Sequence, residues 1–286
     1  SHRPSRKPSS RPRRQTPHGP NLRDVPSVGK KKNVVLIIID DLGQRDLEIY
    51  RSGKVGDYHT PNMNKLAEKS INFEQGYATH PRCLPARVSL LTGKYPARFD
   101  VPADPYFNAS DSRYYSFGKN AGTFGEVFKR HGYETTYIGK WHATKKTGWP
   151  WDQGFHNTIG MSARGTVQSY FPPYPVNGEE VPPLNVKNDT KKYFRGEDYL
   201  TDELTKEAVK TIQKAEEKPF LLVLSHYAVH EPIEVPEELV EEYAHLRNHT
   251  QEYVIDPSYD VFQKIHQNNP KYAAMVTSVD RSVGRI

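Results

Sequence analysis

The sequence is poor in cysteine and has no long apolar segment. Cys83 is the only cysteine among 286 residues, which excludes an intrachain disulfide framework and leaves the redox compartment open. The longest apolar run, from Val34 to Ile39, has the length of a strand, whereas a membrane-spanning helix needs about 18 such residues. A hydrophobic fraction of 35% and a mean hydropathy of -0.80 are typical of a soluble globular chain with a polar tail.

The sequence has no excess of positive charge beyond its first 32 residues. Residues 1–32 contain ten lysines or arginines and one acid, Asp24, a net charge of +9. Because the whole chain carries +6, residues 33–286 carry about -3. We therefore predict a disordered basic arm, rich in Pro, Ser and Arg, over residues 1–32. Such an arm could bind heparin-like polymers or acidic membranes, or it could be a solvated leader or a processing remnant. Nucleic acid is not an expected partner.

The alternation of strands and helices predicts an α/β fold over residues 33–286. Strands are indicated for Val34–Ile39, Tyr133–Ile138 and Phe220–Leu224 by their aliphatic and β-branched residues. Helical signals lie between them: Thr60-Pro61 before an apolar stripe of Met63, Leu66, Ala67 and Ile71, a helix over Pro85–Leu91 ended by Gly93, the capping box Thr123–Glu126, and a helix from about Asp202 to Glu216. This order predicts a large mixed, mainly parallel sheet sandwiched by helices, with the first strand buried on both faces.

Reactive side chains follow each predicted strand. They are Asp40 and Asp41, then Lys140 and His142, then His226 and His230. Ligands bind at the carboxyl ends of the strands in parallel sheets, so we expect these groups to lie together. Each also has an ordinary alternative. An acidic pair can simply end a strand, a Lys-x-His pair is normally exposed, and most of the 12 histidines must be structural.

The single cysteine lies in a recognisable motif, although a lone cysteine is usually a small buried hydrophobe. Cys83 is followed by Pro85, by Arg87 and by Ser-Leu-Leu-Thr-Gly93. The predicted helix places Cys83 at an N-terminal edge, where backbone N–H groups favour an anion. The pattern Cys-x-Pro-x-Arg resembles the signature of type I sulfatases of the alkaline phosphatase-like superfamily. Gly-Lys140-Trp-His142 resembles a second element of that family. Ala86 differs, because the family more often has serine there.

The resemblance implies a sulfuric ester hydrolase with a Cα-formylglycine nucleophile, made from Cys83 by a formylglycine-generating enzyme. One hydroxyl of the hydrated aldehyde attacks sulfur and expels the alcohol. The second hydroxyl then loses its proton to a base, His142, so that sulfate leaves and the aldehyde returns. Asp40, Asp41 and residue 83 are implied to bind a divalent cation, Ca²⁺ or alternatively Mg²⁺.

The remaining roles are also carried over from the resemblance. Arg87 would steady the hydrated aldehyde and the sulfate charge, and Lys140 would bind the sulfate. His230, in a Val-His-Glu-Pro segment, would contact the sulfate near the leaving oxygen, and His226 is a weaker candidate.

Substrate and location are expectations from the family as a whole. Sulfated carbohydrates, including glycosaminoglycans, are the expected substrates because much of the family acts on them. We expect a secreted, lysosomal or periplasmic protein, although no signal peptide is visible in this numbering. Triplets beginning at Asn108, Asn188 and Asn248 are compatible with N-glycosylation.

The resemblance covers residues 33–286 and predicts the N-terminal part of a sulfatase catalytic domain. The family adds an Asp-Asn pair to the metal and a further lysine to the sulfate from beyond a segment like Tyr272–Ile286. We therefore expect a C-terminally truncated chain that shows little turnover by itself. Two alternatives stay open: a phosphonate or phosphate monoester hydrolase with the same nucleophile, and a non-catalytic binder whose basic arm captures sulfated polymers.

Overall fold

The computed structural model describes residues 30–51, 58–99, 122–144, 148–162, 164–174, 185–186, 189–193, 198–215, 217–248, 253–256, 261–264 and 268–286. Lys32–Ile286 forms one compact unit. The predicted basic arm up to residue 29 and the triplets at Asn108 and Asn188 lie outside the described residues. No helix in the described part of the chain is long and apolar enough to cross a membrane.

A mixed, mainly parallel sheet forms the centre of this unit, as predicted. Its strands are β1 (Val34–Ile38), β2 (Glu134–Gly139), β3 (Asn157–Met161), β4 (Asn185–Val186), β5 (Asp189–Tyr193) and β6 (Phe220–Ser225). They lie in the order β1-β6-β2-β3-β4-β5. The pairs β1–β6, β6–β2 and β2–β3 are parallel, whereas β3–β4 and β4–β5 are antiparallel. A separate antiparallel pair joins β7 (Tyr253–Asp256) to β8 (Val261–Lys264).

Helices cover both faces of the sheet. They are α1 (Pro61–Ala67), α2 (Cys83–Thr92), α3 (Phe124–Arg130), α4 (Leu200–Gln213), α5 (Glu237–Glu241) and α6 (Pro270–Arg285). Short 3-10 helices span Gln44–Asp46, Glu48–Tyr50, Pro96–Phe99, Pro150–Gln153 and Ala244–Asn248. One core cluster joins α4 and α6 to Leu222 and Leu224 of β6, and the other joins α2 to Leu221 and Val223. Alternate residues of β6 thus face opposite helix layers, which explains why residues 220–224 of the strand are all apolar.

The helix predicted over Pro85–Leu91 is confirmed, but it begins two residues earlier than predicted. Cys83 is the first residue of α2, and Gly93 ends the helix in the left-handed region with φ 66°, which glycine adopts without steric cost. The capping box at the start of α3 forms, because the Thr123 hydroxyl accepts from the Glu126 N–H while the Glu126 carboxylate accepts from the Thr123 N–H.

The first strand and the helix after it differ from the prediction. Among the described residues β1 pairs only with β6, so it lies at an edge of the sheet and Val35 is 40% exposed. The expected apolar stripe behind Thr60 is wrong. Met63 is buried, but α1 ends at Ala67 and leaves Leu66 and Ile71 exposed.

Thr60 is the N-cap residue of α1 and Pro61 is its first residue, as predicted, but the Thr60 side chain does not cap the helix. The Thr60 hydroxyl accepts from the Glu48 N–H and makes no cap hydrogen bond to α1. Asp280 of α6, which is buried, supplies the cap. Its carboxylate accepts from the Met63 N–H at 2.8 Å, from the Asn62 N–H at 3.1 Å and from the Asn62 side chain at 2.8 Å. A residue 218 positions away therefore satisfies the free N–H groups of this helix.

Replacing Asp280 by alanine should lower the free energy of unfolding by about 3 kcal/mol, because it leaves one buried and two partly buried donors without their charged acceptor. Urea denaturation measures this change. Arg281→Ala is the matched control. It removes the neighbouring residue of the same helix, whose ion pair with Glu242 is half exposed, and it should cost less than about 1 kcal/mol. Equal losses in the two variants would contradict the capping role.

Candidate active site

The site lies where three neighbouring parallel strands end and where α2 begins. The main chain after β1 is held beside the main chain after β6, because the Asp40 N–H donates to the Ala228 oxygen and the Val229 N–H donates to the Asp40 oxygen. The Lys140 N–H donates to the Ser225 oxygen at 2.7 Å and thereby joins the end of β2 to the end of β6. This register brings the predicted reactive residues of all three strands to one edge of the sheet.

Close contact between β2 and β6 requires glycine at position 139. Gly139 has φ 91°, and a Cβ atom there would lie 2.0 Å from the Ser225 oxygen. Any side chain would therefore push apart the strand ends that carry Lys140 and Ser225.

Asp40 is the centre of a buried charge cluster. Its carboxylate accepts from Arg87 Nη2 at 2.8 Å and from Lys140 Nζ. Asp40, Arg87 and Lys140 are all at least 94% buried. Burial alone would raise the pKa of Asp40, but the positive charges of Lys140 and Arg87 hold that pKa below its ordinary value. Asp40 is thus ionised at neutral pH, and its charge compensates two cations that would otherwise be costly to bury.

Cys83 and His142 are in contact within the site. The sulfur of Cys83 lies 3.3 Å from Nδ1 of His142, and both residues are partly buried. Desolvation, with the charges of Lys140 and Arg87, lowers the pKa of His142 to about 3. The imidazole is therefore neutral at physiological pH, which is the form that accepts a proton.

The position of His142 depends on its main chain and on Gly165. His142 has φ 41°, an unusual value for a residue other than glycine, and its N–H donates to the Ser162 oxygen. A Cβ atom on Gly165 would lie 2.5 Å from Cε1 of His142. The loop after β3 thus packs directly against the imidazole face and leaves no space for a side chain at position 165.

Asp41 and His230 lie on the open side of the same cluster. The Asp41 side chain is 58% exposed, and one of its oxygens lies 3.6 Å from Nε2 of His230. Asp41 has φ 57°, a second strained backbone position within the site. Nδ1 of His230 lies 2.8 Å from the Glu231 oxygen, and the Tyr170 hydroxyl donates to the His230 oxygen. Nε2 is therefore the atom of His230 that faces the site.

The arrangement fits a hard divalent cation. Asp40, Asp41 and His230 each offer an atom within 4.8 Å of the others. Carboxylate oxygens are the ligands that Ca²⁺ and Mg²⁺ prefer, whereas an imidazole nitrogen is not among their usual ligands. The two aspartates would therefore hold such an ion, and His230 would remain free to contact a substrate. Cys83, the third residue predicted to bind the metal, is not in this group, so that assignment stays a prediction.

The family model for sulfatases matches residues 32–286, which include the whole of this site. The chain belongs to the sulfatase family. Among similar proteins, the uncharacterised sulfatase YdeN of Escherichia coli is 26% identical over 90% of this chain and 48% of its own length. N-acetylgalactosamine-6-sulfatase of Rattus norvegicus is 29% identical over 70% of the chain and 40% of its own length. The chain thus spans about half the length of these relatives.

Solved structures of sulfatases share the fold. Ps i-CgsB in complex with k-i-k-neocarrahexaose superposes with a TM-score of 0.69 and 26% identity, over 89% of this chain and 54% of that one. The phosphonate monoester hydrolase of Agrobacterium radiobacter superposes with a TM-score of 0.55 and 17% identity, over 89% of this chain and 58% of that one, a similarity of fold alone. The predicted alkaline phosphatase-like fold is therefore confirmed for this sulfatase chain.

One candidate histidine lies on the other side of the sheet. His226 of this sulfatase chain is fully buried, and its Nε2 lies 2.9 Å from the Ser282 hydroxyl of α6. Burial lowers the pKa of His226 to about 4, so it is neutral at physiological pH. The structure thus brings His230, but not His226, to Asp40 and Asp41.

Ser225 is a site residue that the sequence argument missed. Its hydroxyl accepts from Arg87 Nη1 at 2.8 Å. Because side chains alternate along a strand, Ser225 and His226 face opposite sides of the sheet. This alternation was the available signal. If His226 faces away from the site, its neighbour Ser225 must face toward it.

Proposed function

We propose that this sulfatase chain carries the nucleophile and proton-transfer groups of a formylglycine-dependent sulfuric ester hydrolase. The contact of 3.3 Å between Cys83 and His142 is the observation that carries the proposal. It places a neutral imidazole against the residue that the Cys-x-Pro-x-Arg motif marks for oxidation. Family membership supports the same assignment.

Residue 83 and the aspartates supply the two groups that the reaction needs beyond ordinary side chains. Conversion of Cys83 by a formylglycine-generating enzyme would supply a hydrated aldehyde with two hydroxyls on one carbon, one for attack on sulfur and one for release of the sulfate. A divalent cation held by Asp40 and Asp41, which we propose to be Ca²⁺, would polarise the sulfate when bound.

His142 and His230 are proposed to move protons on the two sides of the sulfur. Nδ1 of His142 faces residue 83, so the neutral ring can accept a proton from a hydroxyl at that position. Nε2 of His230 lies beside Asp41 and faces the open cleft. That location suits contact with the bridging oxygen of the ester as the alcohol departs.

Arg87 and Lys140 are proposed to attract and hold the sulfate. Their two positive charges pair with Asp40 and both interact with Cys83, so the two cations lie close enough to residue 83 to attract an anion there. Charged groups that are already fixed in a buried site stabilise an anionic transition state without further reorganisation.

Sulfated carbohydrates are the proposed substrates. The support is that one relative is an N-acetylgalactosamine-6-sulfatase and that one structural neighbour was solved with a neocarrahexaose. A secreted, lysosomal or periplasmic location, with N-glycosylation where the host permits it, belongs to the same proposal. The phosphonate hydrolase alternative has weaker support, because that neighbour shares the fold at only 17% identity.

Cys83 should be converted to formylglycine when the protein is produced together with a formylglycine-generating enzyme. Mass spectrometry of the peptide containing residue 83 measures the conversion. A longer form of the protein that includes the further metal and sulfate ligands expected above should, once converted, hydrolyse an aryl sulfate faster than the matching aryl phosphate. Cys83→Ala, which removes the atom to be oxidised, should have no activity above background. Unmodified thiol throughout, or faster turnover of the phosphate, would overturn the assignment.

The binder alternative needs a separate comparison. If the basic arm only captures sulfated polymers, deleting residues 1–32 should abolish binding to heparin, and the longer form with all expected ligands should show no turnover. Retained turnover of a small aryl sulfate after the deletion would support the enzyme instead.

A further inference from the structure

Three hydrogen-bond donors converge on the main-chain oxygen of Lys140. Arg87 Nη1 donates to it at 2.8 Å, the Tyr137 hydroxyl at 2.6 Å and the Ser225 hydroxyl at 2.9 Å. A carbonyl oxygen has two lone pairs, so three donors exceed its lone pairs and two of them must share one. All four residues are at least 95% buried, and they come from α2, from β2 and the turn after it, and from β6. The junction therefore connects the helix that begins at Cys83 to two strands of the sheet.

The junction determines how the guanidinium of Arg87 can lie. Nη1 donates both to the Lys140 oxygen and to the Ser225 hydroxyl, and Nη2 donates to Asp40. Nε is buried and has no hydrogen-bond partner among the described residues. Asp40 alone would leave the planar group able to pivot about one contact. The two bonds on Nη1 remove that freedom, because they fix a second corner of the plane.

We propose that Ser225 and Tyr137 are positioning residues that hold the Arg87 guanidinium and the Lys140 main chain in place, and so place the positive charge beside residue 83. Ser225 accepts a hydrogen bond from Arg87 directly. Tyr137 influences Arg87 indirectly, because the Tyr137 hydroxyl and Arg87 Nη1 both donate to the Lys140 oxygen. Neither hydroxyl needs to touch a substrate. The importance of this placement for catalysis rests on the proposed function, but the placement itself can be measured without turnover.

A suitable control lies on the opposite face of β6. Ser282 is as deeply buried as Ser225, and its hydroxyl also makes two hydrogen bonds, to Thr205 at 2.7 Å and to His226 at 2.9 Å. Ser282→Ala should therefore cost a similar amount of stability without altering Arg87. A loss of packing alone would affect Ser225→Ala and Ser282→Ala equally.

The test uses the unmodified protein and its only thiol, Cys83. The rate constants for alkylation by iodoacetate and by iodoacetamide are measured, and their ratio reports the positive charge beside the sulfur, since the reagents differ mainly in charge. Ser225→Ala should lower the ratio by about fivefold, the factor that one ordinary hydrogen bond contributes to an equilibrium. Tyr137→Phe should lower it in the same direction, and Ser225→Thr, which keeps a hydroxyl, should preserve it.

An unchanged ratio in Ser225→Ala and in Tyr137→Phe would overturn the proposal, as would an equal fall in Ser282→Ala. If Ser225→Ala does not fold, Tyr137→Phe decides the question, because it keeps the ring that packs in the core. Alkylation requires neither formylglycine nor a bound metal. Failure to hydrolyse sulfate esters would therefore count against the proposed function and leave this result standing.

Discussion

Asp40→Asn should lower the free energy of unfolding by about 4 kcal/mol, whereas Asp41→Asn should leave it nearly unchanged. The first substitution removes the only negative charge that the structure places within ion-pairing distance of Arg87 and Lys140 among the described residues. Removing one partner of a buried ion pair typically lowers the free energy of unfolding by about 3–5 kcal/mol, because the remaining charge stays desolvated. The Asp41 side chain is 58% exposed, so water can solvate the groups that lose contact with its charge.

The two variants should behave alike in metal binding. Urea denaturation in the presence of a chelator measures stability without any contribution from a bound ion. Calcium titration calorimetry then measures affinity, and both substitutions should weaken it strongly because each removes one hard oxygen ligand. An Asp40→Asn protein as stable as the wild type would contradict the charge-compensation role. Unchanged calcium affinity in both variants would mean that the acidic pair only ends the strand and does not bind calcium.

The Asp40 contribution should also depend on pH in a defined direction. The pKa of Asp40 is lower in the folded protein than its ordinary value of 3.8. Its contribution is therefore fully present above that ordinary pKa and is lost as the pH falls through the lower, folded value. The difference in stability between wild type and Asp40→Asn should shrink in that acidic range.

His142→Ala should trap a sulfated enzyme, and His230→Ala should not. In the active, formylglycine-bearing protein, loss of the His142 base still permits attack on sulfur but slows release of the sulfate. A fall in kcat of about 100-fold to 10,000-fold is expected for the loss of a general base. His230 lies beside Asp41 and is proposed to contact the leaving oxygen, so its removal should slow the first step and let no adduct accumulate.

Rapid quenching followed by mass spectrometry of the peptide containing residue 83 distinguishes the two variants. His131→Ala, which removes an exposed histidine just after α3, serves as the control and should retain wild-type turnover. Adduct in both active-site variants, or in neither, would mean that the two histidines do not divide the proton transfers as their positions indicate.

Much of the fold was predictable because its signals are local. The β6 run from Phe220 is apolar throughout, since a strand between two helix layers buries both faces. The end of α2 at Gly93 follows from the chemistry of helix termini. The same local reasoning was wrong for β1 and α1, where exposure depends on which elements lie alongside.

The sequence by itself determined which groups this sulfatase chain brings to one edge of its sheet. The acids, the lysine and the histidines follow strands, and parallel strands deliver their carboxyl ends to the same edge. Only the tertiary structure decided how those groups are held. Asp280 caps α1 from 218 residues away, and Ser225 rather than His226 faces Arg87. Such contacts depend on strand order and helix packing across the whole chain. The alternation of side chains could place Ser225 and His226 on opposite faces, but it could not identify their partners.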